Sequence, residues 1–144
     1  QAVDQALATL GETAYLEGQS FQGLLEDIKD VWEGSCEIAH QIEPQALIAM
    51  DQDQRAARCV IEVVRESITN AIKHGKAKNI KVTITQSGQL LDLIVDNDGQ
   101  EVIAGAQGLG TSVIAELTHS HRLYKTTGGV RFTASIALGL QLEQ

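Results

Sequence analysis

Glu66, Asn70 and Lys73 have side chains that suit phosphate chemistry, and they are spaced four and three residues apart. At about 3.6 residues per turn, this spacing places them one above another on a single helix face. An amide oxygen is a neutral ligand for Mg²⁺ shared with substrate phosphates, a carboxylate can accept a proton from a nucleophile, and an ammonium group neutralises phosphate charge. Taken alone, the trio is explained more simply as a solvated helix face, because all three residue types are common on surfaces.

The helix that carries this trio has an apolar stripe on its opposite face, which predicts packing on a sheet. The stripe consists of Val60, Ile61, Val64, Ile68, Ala71 and Ile72. Asp51, followed three residues later by Gln54, predicts the N-cap of the helix, and Gly75 predicts a left-handed C-cap. Lys73 and His74 also suit the negative end of the helix dipole, and for His74 this structural explanation is the preferred one.

Two further segments combine glycine with small or polar residues, a composition that lets a ligand approach the backbone closely. A strand pattern runs into Asp96 to Gly99, and a glycine-rich loop from Gly105 to Gly110 precedes a helical pattern from Thr111 to Leu117. Free N–H groups at a helix N-terminus favour phosphate. The loop has neither the P-loop nor the dinucleotide-binding spacing, so by itself it is a weak signal.

The remaining periodicity predicts three helices and five strands in all. Ser20 is the expected N-cap of the first helix, and Pro44 is expected to end the first strand. The predicted segments are a helix from Phe21 to Trp32, a strand from Cys36 to Ile42, a hairpin of Asn79 to Gln86 with Leu91 to Val95, and a closing hairpin of Arg122 to Lys125 with Val130 to Leu138.

Composition narrows the classes of protein that the chain can represent. Its 144 residues suit one domain, and a net charge of −8 disfavours nucleic acid and anionic membrane surfaces as partners. No apolar run has the length of a membrane span, and the lone cysteines suit the cytosol. We therefore expect a cytoplasmic location, either as a free protein or as the cytoplasmic part of a membrane-bound one, without direct membrane contact by this chain. Cys36 and Cys59 lack metal-ligand spacing and are expected to be reduced, and His40, His119 and His121 are expected to be surface residues.

In order along the chain, the motifs resemble the ATP-binding domain of sensor histidine kinases. They are Glu-x-x-x-Asn-Ala-x-Lys-His on a helix, Asn-Asp-Gly after a strand, Gly-Leu-Gly before a helix and Gly-Gly in a terminal hairpin. More narrowly, they are similar to the subgroup with the nitrate sensors and the membrane-fluidity sensor, within the gyrase, heat-shock-90, kinase and mismatch-repair ATPase superfamily. The resemblance covers roughly residues 20 to 140, and four ordered motifs are more specific than any one of them.

The resemblance implies an α+β fold, a two-layer sandwich of the Bergerat type. A mixed sheet of about five strands would be covered on one face by about three helices. The ATP-binding kinase domain would span residues 20–144, and residues 1–19 would form a connector or the remnant of a preceding dimerisation segment.

The resemblance also implies roles for particular residues. Asn70 would coordinate Mg²⁺ bound to the ATP phosphates, and Glu66 would act as, or orient, a general base. Lys73 and His74 would lie near the phosphates or the nucleotide sugar. The other residues implied to contact nucleotide are Asn97, Asp98, Gly99, Gly108, Leu109, Gly110 and Gly129.

This sequence departs from the family pattern at several of these positions. Asn97 stands where the adenine-binding aspartate is expected, and Glu101 replaces a glycine. Asp98 could substitute for that aspartate by a shift of one residue, and the sequence leaves this choice open. An amide oxygen accepts a weaker hydrogen bond than a carboxylate does. The segment between Gly99 and Gly108 is also short for an ATP lid, and Val130 follows Gly129 where threonine or serine is usual.

By this resemblance the chain would bind Mg-ATP and donate the γ-phosphoryl group to a histidine on a separate dimerisation domain, with a response regulator as a further partner. None of the four histidines has the sequence context of a phosphoacceptor, so the chain alone is expected not to autophosphorylate. Two alternatives remain: a serine kinase of the anti-sigma-factor type with the same fold, and a degenerate, non-catalytic interaction module.

Overall fold

One layer of the protein is a mixed β-sheet. The computed structural model describes residues 20–100 and 114–139, and the strands within these ranges are β1 (Glu37–Ile42), β2 (Asn79–Ser87), β3 (Leu90–Asn97), β4 (Ser120–Thr126) and β5 (Gly129–Ala137). The five strands lie in the order β1-β2-β3-β5-β4. The β1–β2 pair is parallel and the other described pairs are antiparallel.

The second layer consists of the helices α1 (Phe21–Val31), α2 (Pro44–Gln52) and α3 (Gln54–Lys73). Alternate residues of the central strands are buried beneath them, because side chains point to opposite faces of a strand in turn. These buried residues include Val82, Ile84, Leu91, Leu93, Val95, Phe132 and Ile136. On the opposite face Asp96 accepts two hydrogen bonds from Arg131, at 2.6 and 3.0 Å. The architecture is thus the predicted two-layer α+β sandwich.

The start of α3 differs from the prediction. Asp51 lies within α2, and the N-cap is Asp53, whose side chain accepts a hydrogen bond from the backbone N–H of Ala56 at 3.1 Å. A cap residue needs a non-helical backbone. Asp53 has φ −135° and ψ 84°, whereas Asp51 continues the preceding helix.

Helix α2 was not predicted. Pro44 was expected only to end the first strand, but it occupies the first turn of α2, where a missing N–H group costs no hydrogen bond. The helix is short and mixes apolar with polar residues, with Ala46 and Met50 as its buried positions. Such a segment has little of the periodicity that identifies longer helices.

The end of α3 also differs from the prediction. Gly75 does not have the left-handed conformation, which is found instead at Lys76, with φ 61°. His74 is the C-cap residue, and its N–H donates to the carbonyl of Asn70 at 3.0 Å. A glycine is needed at position 75 because there is no space for a side chain. An added Cβ would lie 2.7 Å from the carbonyl oxygen of Gln100.

The other predicted elements are confirmed within the described residues. Ser20 caps α1 by accepting a hydrogen bond from the N–H of Gly23 at 3.0 Å. The β2–β3 hairpin turns at Gly88, with φ 62°, and the β4–β5 hairpin turns beside Gly128. The predicted helix from Thr111 is described only over residues 114–117, which are helical, and Gly108, Leu109 and Gly110 lie outside the described residues.

No helix in the described ranges is both long enough and apolar enough to cross a lipid bilayer.

The two candidate caps can be compared directly by substitution. We expect Asp53→Ala to lower the free energy of unfolding by about 1 kcal/mol, because it removes the bond to Ala56 N–H. The matched control, Asp51→Ala, changes an exposed residue and should alter it by less than about 0.5 kcal/mol. Urea denaturation followed by circular dichroism measures both. A larger loss in the Asp51 variant would contradict the assignment of Asp53 as the cap.

Candidate functional site

A cavity of about 310 Å³ lies between the C-terminal half of α3 and the strands β3, β5 and β4. Its apolar walls are formed by Ala71, Val95, Ile114, Leu123, Val130 and Phe132. Its polar lining is formed by Ser67, Asn70, Asn97, Gln100, His121 and Arg122. Apolar walls with a few polar groups, here amides, a hydroxyl, an imidazole and a guanidinium, are typical of pockets that bind a small molecule and fix its orientation.

Asn70 and Asn97 come to this cavity from different elements. Asn70 lies in the last turns of α3, and Asn97 ends β3, opposite Val130 of β5. Both side chains are half-buried and both line the cavity. The tertiary structure therefore brings together two motifs that the sequence placed on separate elements.

Glu66, Lys73 and His74 lie near the cavity without being among its lining residues in the described part of the chain. Glu66 is half-buried and one helical turn before Asn70, while Lys73 and His74 are exposed at the end of α3. His74 forms the helix C-cap, in agreement with the structural explanation of that residue. Glu66 and Lys73 therefore lie on α3 on either side of Asn70 in the chain, outside the cavity lining.

Asp98 is engaged in the structure of the neighbouring loop. Its carboxylate accepts hydrogen bonds from the N–H groups of Lys78 at 2.8 Å and Asn79 at 3.0 Å, and from Asn79 Nδ2 at 2.9 Å. The side chain of Asn79 and these two N–H groups lower the pKa of Asp98 to about 2. Asp98 therefore holds the loop that follows α3.

Asn97 lines the cavity while Asp98 does not. The Oδ1 atom of Asn97 accepts a hydrogen bond from the N–H of Gly99 at 2.8 Å, which turns the chain immediately after β3. Of the two candidates that the sequence left open, this geometry favours Asn97 as the residue that meets a ligand.

Close backbone contact fixes the end of α3 against the segment that follows β3. The N–H of Gln100 donates to the carbonyl of Gly75 at 2.7 Å. A Cβ added to Gly99 would lie 2.5 Å from the Gly75 carbonyl oxygen and 3.0 Å from the N–H nitrogen of Ala77. Side chains at Gly75 or Gly99 would separate the two segments, and Asn70 would move away from Asn97.

Gly129 supports the same site from β5. An added Cβ would overlap the carbonyl oxygen of Asn97 and would lie 2.8 Å from the Cα of Asp98. Gly128, its neighbour in the turn, has open space in the same position. Of the predicted glycine pair, Gly129 is therefore the residue that must lack a side chain, because it packs against the backbone of Asn97.

Three cavity residues on β4 were not predicted from the sequence: His121, Arg122 and Leu123. His121 was expected to be a surface polar residue; it is exposed, but it also lines the cavity, as does Leu123. These residues pair with Ala134 and Phe132 of β5, so they lie on the helix-covered face of the sheet. Alternation along β4 places His121 and Leu123 on one face. Because most residues of this strand are polar, the sequence does not show which of its faces is covered by the helices. His40, also expected at the surface, is half-buried, and its Nδ1 lies 3.1 Å from Lys29 Nζ.

The polar side chains of the cavity suit a metal ion that is already bound to a ligand better than a metal ion that is coordinated by protein side chains alone. No group of three or more histidine, cysteine or acidic residues with metal-binding geometry occurs in residues 20–100 and 114–139. Asn70 offers an amide oxygen, and Mg²⁺ bound to polyphosphate needs few protein ligands because phosphate and water supply the others. The residues present thus fit a magnesium nucleotide.

Comparisons with known proteins identify the fold. No family model matches the sequence, and no curated protein matches it. The blue-light activated histidine kinase EL346 of Erythrobacter litoralis superposes with a TM-score of 0.64 and 16% identity, over 99% of this chain and 48% of that chain. The histidine kinase AdeS of Acinetobacter baumannii has a TM-score of 0.59 and 14% identity, over 95% and 76%.

An isolated domain gives the same result. The ATP binding domain of PrrB from Mycobacterium tuberculosis has a TM-score of 0.53 and 19% identity, over 78% of this chain and 93% of that domain. The chain therefore spans about half of the blue-light kinase but most of a separate ATP binding domain. The fold is that of the ATP-binding domain of histidine kinases.

The adjacent glycines of the β4–β5 turn provide a matched test of the site's construction. We expect Gly129→Ala to lower the free energy of unfolding by about 1 to 3 kcal/mol, since the new methyl group overlaps Asn97 and forces the backbone to shift. Gly128→Ala should change it by less than about 0.5 kcal/mol, because its methyl group meets no atom within 4 Å. Thermal unfolding of the two variants measures this, and equal effects would refute the steric role of Gly129.

Proposed function

We propose that the chain is the ATP-binding catalytic domain of a two-component sensor histidine kinase. It binds Mg-ATP and donates the γ-phosphoryl group to a histidine on a separate dimerisation domain. The observation that carries the proposal is the meeting of Asn70 and Asn97 at one cavity within a histidine kinase ATP-binding fold. Amide side chains at a cavity with apolar walls suit a nucleotide, which joins a flat base to a metal-bound polyphosphate.

The apolar walls and Asn97 hold the base. Val95, Val130 and Phe132 provide the surface on which a purine is buried, and Asn97 lies at the end of β3 beside them. Asn97 has a neutral amide where the family pattern has a carboxylate, so its hydrogen bond to the base has no charge assistance. We expect the affinity for ATP to be modest for this reason.

The polar edge of α3 holds the phosphates. Asn70 supplies the amide oxygen for Mg²⁺, whose chemistry when bound is to neutralise the phosphate charge that develops during transfer. Lys73 is exposed at the end of the same helix, close to the exposed Lys76 and Lys78. These three cations give an acidic chain a local positive region that attracts polyphosphate.

Glu66 acts on the acceptor. It lies one turn before Asn70 on the same helix and is half-buried. A carboxylate in this position can orient an incoming imidazole or accept its proton, which is general-base catalysis. The remaining proposed contacts are the phosphate contacts of Gly108, Leu109 and Gly110, which lie outside the described residues, and a contact of His74 with the nucleotide.

The partners of the domain follow from the same proposal. They are a histidine-bearing dimerisation domain and a response regulator, in a cytoplasmic setting, and the proposed subgroup is that of the nitrate and membrane-fluidity sensors. Phosphate transferred to a serine of a protein partner would instead identify an anti-sigma-factor type of kinase. Failure to bind ATP at millimolar concentration would favour the non-catalytic interaction module.

The central experiment is a calorimetric titration of the purified chain with ATP, with and without Mg²⁺. We expect saturable binding that needs Mg²⁺, and we expect Asn70→Asp to abolish the Mg²⁺-dependent part, because the substitution changes the charge and hydrogen-bonding pattern of the ligand. Gln22→Glu makes the same change from amide to carboxylate on the exposed face of α1 and should bind as the wild type does. Unchanged affinity in Asn70→Asp would remove Asn70 from the site.

The role of Glu66 is separable from binding. With the chain joined to a histidine-bearing dimerisation domain, Glu66→Gln should keep the wild-type affinity for Mg-ATP and lower the rate of phosphoryl transfer by about 10²-fold or more, the usual scale for a general base. The control is Glu33→Gln, at an exposed position beyond α1. Radiolabel transferred from γ-labelled ATP measures the rate. Undiminished transfer in Glu66→Gln would refute the base assignment.

A further inference from the structure

His121 lines the same cavity as Asn70. It belongs to β4, the edge strand of the sheet, and pairs with Ala134 of β5. Its Nδ1 atom is 3.3 Å from the hydroxyl oxygen of Thr118. Thr118 therefore holds one side of the imidazole ring, and within residues 20–100 and 114–139 the hydrogen bond of the ring does not involve Nε2.

The hydroxyl of Thr118 determines which ring nitrogen carries the proton. Its Oγ1 donates a hydrogen bond to the carbonyl oxygen of Ile114 at 2.8 Å. A hydroxyl group has one proton to donate, and the shorter of its two contacts, 2.8 Å to Ile114 against 3.3 Å to His121, assigns that proton to Ile114. The Thr118 oxygen can then only accept from His121, so Nδ1 is the donor atom of that pair.

This tautomer decides what His121 can bind. In neutral imidazole one nitrogen donates and the other accepts, so a proton on Nδ1 leaves Nε2 as an acceptor. An acceptor nitrogen repels phosphate oxygens and attracts N–H or O–H groups. The nucleoside part of a nucleotide has both kinds of donor, an exocyclic amino group on adenine and hydroxyl groups on ribose.

Leu123 provides a second observation at the same place. It follows His121 by two residues, so both side chains lie on one face of β4. Leu123 lines the cavity and is 36% exposed, which makes it one of the few large apolar side chains of the described residues that remain open to water. Covering it with a flat apolar ligand is favourable.

We propose, on the basis of the proposed function, that β4 forms the nucleoside-binding wall of the site: His121 accepts a hydrogen bond at Nε2 from an N–H or O–H group of the nucleoside, beside the apolar surface of Leu123. His121 is thereby a determinant of nucleoside affinity and makes no contact with the phosphates. The edge strand completes a cavity whose other walls come from α3, β3 and β5.

The test compares adenosine with Mg-ATP, because adenosine contains the donors and lacks the phosphates. We expect His121→Leu to weaken the binding of both by about five- to tenfold, the scale of one hydrogen bond. His121→Gln, which keeps a side-chain acceptor, should restore part of the loss. The control is His119→Leu, at an exposed position outside the cavity lining. Calorimetry gives the affinities, and thermal unfolding checks that the variants are folded.

Two analogues distinguish the donors. Purine riboside has a hydrogen atom in place of the adenine amino group and gains no new donor, and 2′,3′-dideoxyadenosine lacks the 2′- and 3′-hydroxyl groups. The difference between wild type and His121→Leu should disappear with the analogue that lacks the donor bound by Nε2. A difference that persisted with both analogues would overturn the proposal.

The outcomes also separate this inference from the proposed function. Wild-type binding of Mg-ATP that depends on Asn70, together with unchanged adenosine affinity in His121→Leu, would overturn the role of His121 alone. A loss seen with Mg-ATP and absent with adenosine would show a phosphate contact and would also overturn it. If the wild-type chain bound neither compound, the proposed function would itself fail.

Discussion

The site depends on a close backbone contact between the end of α3 and the segment after β3. Gly75 and Gly99 meet where neither can carry a Cβ, and the N–H of Gln100 donates to the Gly75 carbonyl at 2.7 Å. Asp98 reinforces the contact through three hydrogen bonds to Lys78 and Asn79. These contacts hold α3 and β3 at a fixed separation. The cavity between them therefore has Asn70 on one wall and Asn97 on another.

The two layers contribute different chemistry to the cavity. The sheet supplies apolar side chains from β3 and β5, and α3 supplies polar side chains, among them Ser67 and Asn70. Burial of apolar surface gives affinity with little direction, whereas hydrogen-bonding groups such as amides can fix the orientation of a ligand. This division explains how a chain with only 14 to 19% identity to histidine kinases keeps their fold: the sheet face needs aliphatic side chains, which many sequences provide.

The elements with strong periodicity could be predicted from the sequence. The apolar stripe of α3 and the alternation in β2, β3 and β5 identify their buried faces, because a period near 3.6 or of 2 is imposed by backbone geometry. The short helix α2 could not be predicted in this way. Because α2 includes Asp51, the N-cap of α3 is Asp53 and not Asp51. Two aspartates two residues apart have the same local capping chemistry, so the choice depended on where the preceding helix ends.

The sequence by itself identified candidate site residues and the elements that carry them: Asn70 on a helix, Asn97 or Asp98 at a strand end, and Gly129 in a hairpin. Only the tertiary structure showed how the surroundings of Asn97 and Asp98 differ: Asn97 lines the cavity, whereas the carboxylate of Asp98 accepts a hydrogen bond from a loop twenty residues earlier in the chain. Only the tertiary structure brought His121 to the cavity, since the pairing of β4 with β5 sets which of its faces lies under the helices. Local patterns fix periodicity, whereas contacts between distant segments fix what each polar group is free to bind.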